Sequence, residues 1–430
     1  MEVPEKVRIA ATGFVSEQTG SMPGANALLL RAMLNRGTQV DFFSKPSFVD
    51  PRLVIGNQKG FRFVPTTNHK SDALRRRFQE IPILGALAIQ NDAVCYNRLL
   101  VRAIGSEHCS HDYDAVFWMG DYARGSCNGV PTISFVQGSP GADARSILRH
   151  RNQIRQLAGF QAALKWEALA RLRLSFWGLP NFRYSDHFIV GSSVSSKRLE
   201  KTYKIPHNCI SILPYPIDLD LFQPSTFKPS KSGRESPATA LRILWLGRIV
   251  PRKRLDLFLN GAAVAMREGL QASLTVVGAV GFVKGYEKLI AAFPFPDRLH
   301  WIPFLPRERV PELLSSHDML VQPSEEEDFG SSVAEAQACG LPVIVGRTNG
   351  NADYLCARDI HLSDDHPCSL ATALKETAHR LAKEKEEYPI SRKFSEDCFG
   401  VEKVARRLID ILETVRFRGD PYKSRSLNLS

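Results

Sequence analysis

Short runs of apolar residues alternate along the chain with longer segments whose apolar residues recur at helical spacing. Glycine, proline or polar residues flank each apolar run, which is typical of the buried strands of a parallel sheet. In the first half, the predicted strands are 6–12, 39–43, 115–119, 132–136, 187–190 and 209–213, and the predicted helices are about 25–35, 85–104, 142–157, 161–175 and 194–203. This alternation predicts a parallel sheet with helices on both faces.

A stretch rich in proline, serine and lysine, residues 223–240, has no apolar periodicity and is predicted to be a linker. A second series follows, with strands at 242–246, 273–277, 299–302, 319–321 and 342–345 and helices at about 255–267, 307–315, 331–338, 369–386 and 396–416. The predicted organisation is an N-terminal domain over 1–215, a hinge and linker over 216–240, a second domain over 241–392, a terminal helix over 393–416 and a tail over 417–430. Both domains are predicted to be α/β, with doubly wound parallel sheets.

The net charge of +11 is carried entirely by residues 1–235, because acidic and basic residues balance in the rest of the chain. A basic half indicates an anionic partner: a phosphate-bearing substrate, an acidic membrane surface or nucleic acid. The composition, 43% hydrophobic, excludes wholesale disorder, and the apolar runs are too short to span a membrane. The eight cysteines form no CxxC pair, and the N-terminus lacks the apolar region of a secretory signal, so we expect a cytoplasmic protein with free thiols.

Three stretches hold much of the excess positive charge: 75–77, 145–155 and 165–183. The last also contains Trp166, Phe176, Trp177 and Phe182. A basic amphipathic helix with aromatic residues can lie on an anionic membrane. The preferred interpretation is a packed helix whose arginines pair or extend along the surface.

The turn after strand 242–246 has the sequence GRIVPRK, residues 247–253. Arg248 follows the strand and Lys253 precedes a helix, at the edge where ligands bind to doubly wound sheets. Two cations at such a turn can hold a diphosphate. Two solvated surface cations are the alternative.

The loop after strand 319–321 is acidic and leads into a helix that starts near Ser331. Free backbone N–H groups at that helix start can hold a phosphate, and Gly330 lets a ligand approach. Glu335 lies among alanines inside the helix and needs hydrogen-bond donors, which a ribose diol supplies. Glu327 could accept from a sugar hydroxyl. The alternative is an acidic loop followed by a helix with one exposed glutamate, and it accounts well for Glu325 and Glu326.

A third loop, residues 346–353, follows strand 342–345 and contains Gly350 among small polar residues. Its backbone N–H groups could reach the same ligand. A plain strand-to-helix turn is the alternative.

These motifs occur in one order: G-R-x4-K at 247–253, E-x7-E with an F-G inside it at 327–335, and A-x-G-x-P at 338–342. The chain therefore resembles the retaining glycosyltransferases of family 4, strongly over about 241–360 and in general architecture before that. The resemblance implies a GT-B fold, in which two Rossmann-like domains face a central cleft. It also implies that Arg248 and Lys253 bind the donor diphosphate, that Glu327 meets the donor sugar and that Glu335 meets the ribose.

The resemblance has further implications and three departures. A loop over 13–24 would close over the donor, residues 214–218 would form the hinge, and the final helix would return to the first domain. Relatives often have a histidine where this chain reads Gln137, a hinge asparagine where it has Tyr215, and a glutamate where it has Asp353. Gln137 and Asp143 are assigned to the acceptor side.

The expected reaction separates a sugar from a nucleoside diphosphate, with the anomeric configuration retained. Preplaced cations would stabilise the departing phosphate, so we expect neither a metal nor another cofactor. The candidate catalytic residues are Glu327, Arg248 and Lys253; the candidate donor-binding residues are Glu335, Gly330, Phe329, Ser331, Gly247, Gly20, Gly24 and Gly350. The expected partners are a UDP- or GDP-sugar donor and a glycan or lipid-linked acceptor, with an anionic membrane surface left open and nucleic acid not expected.

Other interpretations remain open. A nucleotide-sugar epimerase or a glycan phosphorylase could use the same fold, and the positive charge is compatible with a nucleic-acid-binding protein that has no catalytic activity. A metal-dependent reaction would need an Asp-x-Asp motif after a strand. The two candidates, 112–114 and 218–220, lie before a strand and in the hinge, so we interpret both as structural.

Overall fold

The computed structural model describes residues 7–16, 21–52, 58–67, 82–109, 111–120, 122–123, 125–127, 129–175, 182–224, 240–383 and 388–417. The strands are β1 (Arg8–Gly13), β2 (Gln39–Ser44), β3 (Phe61–Pro65), β4 (Ala115–Met119), β5 (Thr132–Val136), β6 (His187–Val190), β7 (Ile210–Ile212), β8 (Leu241–Leu246), β9 (Ala272–Val277), β10 (Leu299–Ile302), β11 (Met319–Gln322), β12 (Val343–Val345) and β13 (Ile360–His361). The helices are α1 (Ser21–Asn35), α2 (Pro82–His108), α3 (Ala142–Arg149), α4 (Arg151–Ala158), α5 (Phe160–Leu174), α6 (Ser193–Tyr203), α7 (Leu255–Arg267), α8 (Lys288–Ala291), α9 (Val310–Ser315), α10 (Ser331–Ala338), α11 (Pro367–Lys383), α12 (Tyr388–Phe399) and α13 (Val401–Phe417).

The chain divides into two units that each combine distant segments. Unit 1 comprises Met1–Gly138, Pro180–Pro216 and Val401–Ser430, and unit 2 comprises Ser139–Leu179 and Ile217–Gly400. Helix α13 belongs to unit 1, where it packs on α1 and pairs Glu402 with Arg36 at 2.8 Å. Helices α3 to α5 lie within the predicted domain 1–215 but belong to unit 2 by their contacts. The limits of the functional domains stay a prediction.

Unit 1 contains a parallel seven-stranded sheet in the order β3-β2-β1-β4-β5-β6-β7. Strand β1 lies between β2 and β4, with Ile9 opposite both Val40 and Ala115. Every residue of β4 and β5 is buried, which explains why their sequences are continuous apolar runs rather than alternating ones.

Unit 2 contains a parallel six-stranded sheet in the order β10-β9-β8-β11-β12-β13. Strand β8 lies between β9 and β11. The chain continues from β8 to β9, its neighbour on one side, whereas β11 pairs with β8 on the other side. The core packs around Trp245 and Phe258, both fully buried, and extends to Tyr286. The predicted two-sheet α/β fold is confirmed.

Several element limits differ from the predictions for local reasons. Helix α1 begins at Ser21, so Gly24 lies in its first turn and not in a loop; Pro23 is tolerated there because early helical N–H groups need no intrahelical acceptor. The predicted helix 142–157 is broken at His150. The predicted helix 396–416 is two helices, α12 and α13, separated by Gly400, where a Cβ would lie 2.6 Å from the Glu396 carbonyl oxygen.

Some elements were not predicted, and some predictions fall on residues that are not described. Strands β3 and β13 and helix α8 have no counterpart in the sequence analysis, and α12 begins before the helix predicted there. Most of the predicted linker, Gly20, residues 75–77, Phe176, Trp177 and the tail after residue 417 lie outside the described residues. Within the described part of the chain, no helix combines the length and the apolar character that a membrane crossing needs.

Candidate active site

The charged motifs of unit 2 lie at the carboxyl ends of two neighbouring strands, β8 and β11. A 3-10 turn, Pro251–Lys253, connects β8 to α7, and Arg254 then adopts a left-handed conformation with φ of 52°. The acidic loop connects β11 to α10. Because the strands are parallel and adjacent, both connections leave the same edge of the sheet, at the point where the strand order reverses.

A four-residue ion-pair cluster joins these two connections. The Lys253 Nζ donates to Glu327 Oε2 at 2.7 Å, and Arg252 donates to the same oxygen at 2.8 Å. The Nε of Arg252 donates to Asp143 Oδ1 at 2.9 Å. All but Asp143 are largely buried. The sequence-predicted residues Lys253 and Glu327 are therefore in direct contact, and the acceptor-side candidate Asp143 belongs to the same cluster.

The environment keeps Glu327 ionised. Burial alone would raise the pKa of Glu327, but the charges of Arg252 and Lys253 outweigh burial and hold that pKa at about 2. Burial lowers the pKa of Lys253; Glu327 raises it, while the neighbouring Arg252 and Arg248 lower it further. Any added negative charge at this point would favour the protonated lysine.

Arg248 differs from its neighbours in being exposed. None of the described carboxylates pairs with its guanidinium, so its five N–H donors are available to a ligand. Gly247 precedes it, and a Cβ there would meet only ordinary contacts, 3.5 Å from Gln322 Nε2 and 3.8 Å from Lys253 Cδ. The small residue at 247 therefore leaves space beside Lys253 that the protein itself does not require.

Side-chain amides hold the loop before α10. Gly330 has φ of +82° at the position before the helix, a conformation that favours glycine. The amide of Asn351 donates to the carbonyls of Phe329 and Gly330 at 2.6 and 2.8 Å, and the Gly350 N–H donates to the Glu327 carbonyl at 3.0 Å. This bracing presents the first N–H groups of α10, from Ser331 onward, toward the loop.

Phe329 lies inside the protein. Its side chain is 1% exposed and packs edge-on against Tyr354 and Phe399, with ring centroids 5.5 Å away in each case. The structure thus gives the Phe329 side chain a core position.

Glu335 is paired with an arginine that the sequence analysis did not single out. Arg307, in the turn after β10, donates to Glu335 Oε1 at 2.9 Å, and its guanidinium lies over the Phe222 ring at 5.1 Å. Burial raises the pKa of Glu335, and Arg307 only partly opposes that rise. The only sequence signal was the position of Arg307 after a strand, in a segment with three charges in a row.

Glu325 and Glu326, in the same acidic loop, lie inside the protein. Both are buried, because α3 packs its basic side chains against the acidic loop. Glu325 accepts from Ser146 and His150, each at 2.8 Å, and also pairs with Arg149. These partners outweigh the effect of burial and hold the pKa of Glu325 at about 2. The basic residues of 145–155 that contact this loop are therefore occupied within the protein.

Glu326 completes this arrangement. Arg145 and Arg149 pair with its two carboxylate oxygens at 2.6 and 3.1 Å, and Glu326 itself has φ of 53°. Helix α3 thus holds the residue immediately before Glu327 in a strained backbone conformation. In the sequence, the spacing of four residues between Arg145 and Arg149 could have indicated that both lie on one basic face of a helix.

In the first unit, the described residues directly after β4 and β5 are uncharged. Gln137 follows β5, and its buried amide oxygen and nitrogen have no hydrogen-bond partner among the described residues. Gly120, after β4, has φ of +95°, and a Cβ there would lie 3.0 Å from Gln137 Oε1. Tyr215 packs edge-on against Phe135 at 5.5 Å.

The Asp-x-Asp pairs serve local structure. Asp114 accepts from the Arg8 backbone N–H at 2.7 Å and pairs with Arg416, and Asp218 accepts from two backbone N–H groups of its own turn. Among the residues that the structure describes, no three histidine, cysteine, aspartate or glutamate side chains form a cluster suited to a metal ion.

The overall fold places the chain among proteins of the GT-B class. Sucrose-phosphate synthase from Thermosynechococcus elongatus has a similar structure, with a TM-score of 0.65 and 18% identity over 95% of this chain and 99% of that one. Anabaena HepE in complex with UDP and glucose gives a TM-score of 0.57 and 16% identity over 95% and 100%. The predicted GT-B fold, with two Rossmann-like units, is confirmed.

The sequence comparisons concern the second half of the chain. Residues 228–388 match the family Glycosyl transferases group 1. D-inositol 3-phosphate glycosyltransferase 2 from Catenulispora acidiphila is 29% identical over 46% of this chain and 50% of its own length. The uncharacterized glycosyltransferase YqgM from Bacillus subtilis is 30% identical over 40% and 44%. The chain thus spans about half the length of the curated relatives it matches, and this half contains most of the ion-pair cluster.

Proposed function

We propose that this protein is a retaining glycosyltransferase of family 4. It transfers a hexosyl group from a UDP- or GDP-sugar to a glycan or lipid-linked acceptor, and it needs no metal. One observation carries the proposal: Lys253 and Arg252 meet the ionised Glu327 at the switch point of a Rossmann-like sheet, beside Arg248, with which no described carboxylate pairs. The match of residues 228–388 to group 1 glycosyltransferases supports it, as does the description of HepE as a complex with UDP and glucose.

In this proposal the donor diphosphate binds to Arg248, Lys253 and the first N–H groups of α10. Arg248 is free to form a planar, bidentate contact with a phosphate, whereas Lys253 acts as a point charge. Glu335 accepts from the ribose hydroxyls, and Gly247, Gly330 and Gly350 keep the backbone close to the ligand. Gly20 and Gly24 contribute from the N-terminal segment.

Glu327 binds the donor sugar as a carboxylate. With a pKa of about 2 it carries no proton near neutral pH, so it cannot act as a general acid there. Both of its cationic partners use Oε2, and no described residue donates to Oε1, which remains available to a sugar hydroxyl.

The transfer step needs a group that takes up the acceptor proton. The bond between the anomeric carbon and the phosphate oxygen breaks, the acceptor oxygen bonds to that carbon on the same face, and the acceptor proton moves to the departing phosphate oxygen. Arg248, Lys253 and the helix start neutralise the charge that develops on this leaving group. Gln137, with its unsatisfied amide, and Asp143 are proposed to face the acceptor, where neither needs to act as a base.

The first experiment is a thermal-shift panel with UDP, GDP, ADP and their sugars, followed by product analysis with candidate acceptors. A stabilising nucleotide, donor consumption only in the presence of acceptor, activity in a chelator and a retained linkage by NMR are expected. Donor conversion without acceptor would indicate an epimerase, and phosphate-dependent breakdown of a glycan would indicate a phosphorylase. An inverted linkage would overturn the mechanism.

A matched pair of variants separates catalysis from nucleic-acid binding. Glu335→Ala is expected to abolish nucleotide-sugar turnover, whereas Glu308→Ala, in the same turn as Arg307, should leave it unchanged. Salt-dependent binding of DNA or RNA by a chain that no nucleotide stabilises would instead favour the nucleic-acid-binding alternative.

A further inference from the structure

Helix α5 of unit 2 has apolar residues on its solvent-exposed side. Phe160, Leu164, Ala168 and Leu172 recur every four residues and are all exposed, with Phe160 and Leu164 each 58% exposed. The opposite side packs through Ala163, Ala170 and Trp166, whose ring lies 5.2 Å from that of Phe282. A helix that is apolar on both sides buries only one of them in this fold. We call the four exposed residues the apolar stripe.

Positive charge surrounds the apolar stripe. Helices α4 and α5 carry Arg151, Arg155, Lys165, Arg171 and Arg173, all exposed, and a single acidic residue, Glu167. Glu167 is already paired with Arg171 at 2.5 Å. The guanidinium of Arg155 lies 4.7 Å from the centre of the Phe160 ring, so a cation directly adjoins the stripe.

We infer that the apolar stripe and its surrounding cations form a docking surface for an anionic lipid bilayer. The helix would lie in the plane of the interface, with the stripe inserted between head groups and Arg155 and Lys165 bound to lipid phosphates. This contact is independent of the proposed reaction, because it involves none of the residues assigned to the donor.

Charge argues against the other occupants. A second copy of the chain, docked symmetrically through this face, would bring the same cations against one another. A nucleic acid would use the cations and leave the apolar stripe uncovered against a charged backbone. An anionic bilayer satisfies both features, since it offers phosphate at its surface and hydrocarbon directly beneath.

The test is co-sedimentation of the full chain with vesicles of phosphatidylcholine alone and with about 30% phosphatidylglycerol, at low and high salt. Binding to the anionic vesicles is expected to exceed binding to neutral ones by at least about tenfold and to weaken at high salt. Leu164→Ser/Leu172→Ser should lower it about tenfold, and Arg155→Glu/Lys165→Glu should abolish it.

Matched controls distinguish this surface from general stickiness or charge. Ile212→Ser removes an apolar residue that is 44% exposed on β7, and Arg406→Glu/Arg407→Glu makes the same charge change on α13. Both controls should bind as the unaltered protein does. Equal binding by all variants, no binding to anionic vesicles, or a dimer that Leu164→Ser/Leu172→Ser dissociates would overturn the inference. Nucleotide-induced thermal shifts, measured in parallel, report separately on the proposed function.

Discussion

The two sheets have the same strand arrangement at their carboxyl edges but carry different side chains there. In unit 1, β1 lies between β2 and β4, and the described residues directly after β1 and β4 are uncharged, with Gly13 and Gly120 at the turns. In unit 2, β8 lies between β9 and β11, and the corresponding turns carry Arg252, Lys253 and Glu327 in one ion-pair cluster. Chemistry in this protein is therefore a property of individual turns, since topology alone would make both edges equivalent.

Close packing of strand ends is common to both edges. A Cβ at Gly13 would lie 2.3 Å from the Met119 carbonyl oxygen, and one at Gly278 would lie 1.9 Å from the Gly247 carbonyl oxygen. In each sheet a glycine thus lets neighbouring strand ends approach. The two edges therefore differ in the residues that follow the strands, and not in how closely the strand ends pack.

The largest effect is expected from Lys253→Ala. Loss of one preplaced cation should lower the transfer rate by about 10²–10³-fold, because the departing phosphate loses a stabilising charge in a buried site. Steady-state kinetics with a nucleotide-sugar donor measures it. Circular dichroism and the melting temperature provide the control for folding. A rate within about threefold of the unaltered protein would remove Lys253 from the mechanism.

Acid should destabilise the protein through Glu325. Its folded pKa of about 2 lies below the ordinary value of 4.5, so the carboxylate contributes stability above about pH 5 that is lost as the pH falls toward 2. The shift corresponds to about 3 kcal/mol. Urea unfolding at several pH values should therefore show that the free energy of unfolding depends less on pH in Glu325→Gln than in the unaltered protein.

A matched variant in unit 1 sharpens that comparison. Asp41 also has a pKa of about 2, against an ordinary 3.8; burial opposes this lowering, and Arg62, Tyr113 and Arg8 outweigh it. Because the pKa of Asp41 is shifted less than that of Glu325, Asp41→Asn should reduce the pH dependence of the free energy of unfolding by less than Glu325→Gln does. Identical slopes for Glu325→Gln and the unaltered protein would show that the α3 contacts do not stabilise the ionised carboxylate.

Arg307→Met should weaken nucleotide binding by about tenfold and make it pH-dependent. Without Arg307, burial would raise the pKa of Glu335 further, so the carboxyl group would be ionised only at higher pH. Calorimetric titration with the stabilising nucleotide between about pH 6 and 9 measures this. Arg309→Met, an exposed neighbour in the same turn, is the control, and the same loss in both variants would contradict a specific role for Arg307.

The smallest effect is expected from Gln137→Ala in unit 1. The Michaelis constant for the acceptor should rise a few-fold, because one unsatisfied amide is removed from the proposed acceptor side, while nucleotide affinity stays unchanged. A change in nucleotide affinity would mean that the two edges share the donor, and would break the comparison.

Periodicity predicted the fold well because most strands are buried on both faces. Continuous apolar runs such as 115–119 and 132–136 coincide with β4 and β5. Strand β3 was missed because it is half-buried and contains a charged residue, and β13 because it has only two residues. Local patterns do not identify short edge strands, whose formation depends on a neighbour that is distant in sequence.

Sequence motifs identified Lys253, Glu327 and Glu335 as candidate site residues, but they did not identify the arginines that pair with the two glutamates. Three cations in a row, Arg252 to Arg254, look alike in sequence, yet Arg252 joins Glu327 whereas Arg254 turns away to Asp256. The left-handed backbone at Arg254 separates them. Ser146 of helix α3 reaches Glu325 across 179 residues of chain, a contact that no local pattern encodes.

Because each unit combines distant segments of the chain, a single cut cannot separate the two units. The chain changes unit after Gly138, Leu179, Pro216 and Gly400. A cut at the proline-rich linker would leave the downstream piece without the helices that hold its acidic loop, and the upstream piece without the helix that covers α1. Halves expressed together should therefore recover activity by complementation, whereas either half alone should be prone to aggregation.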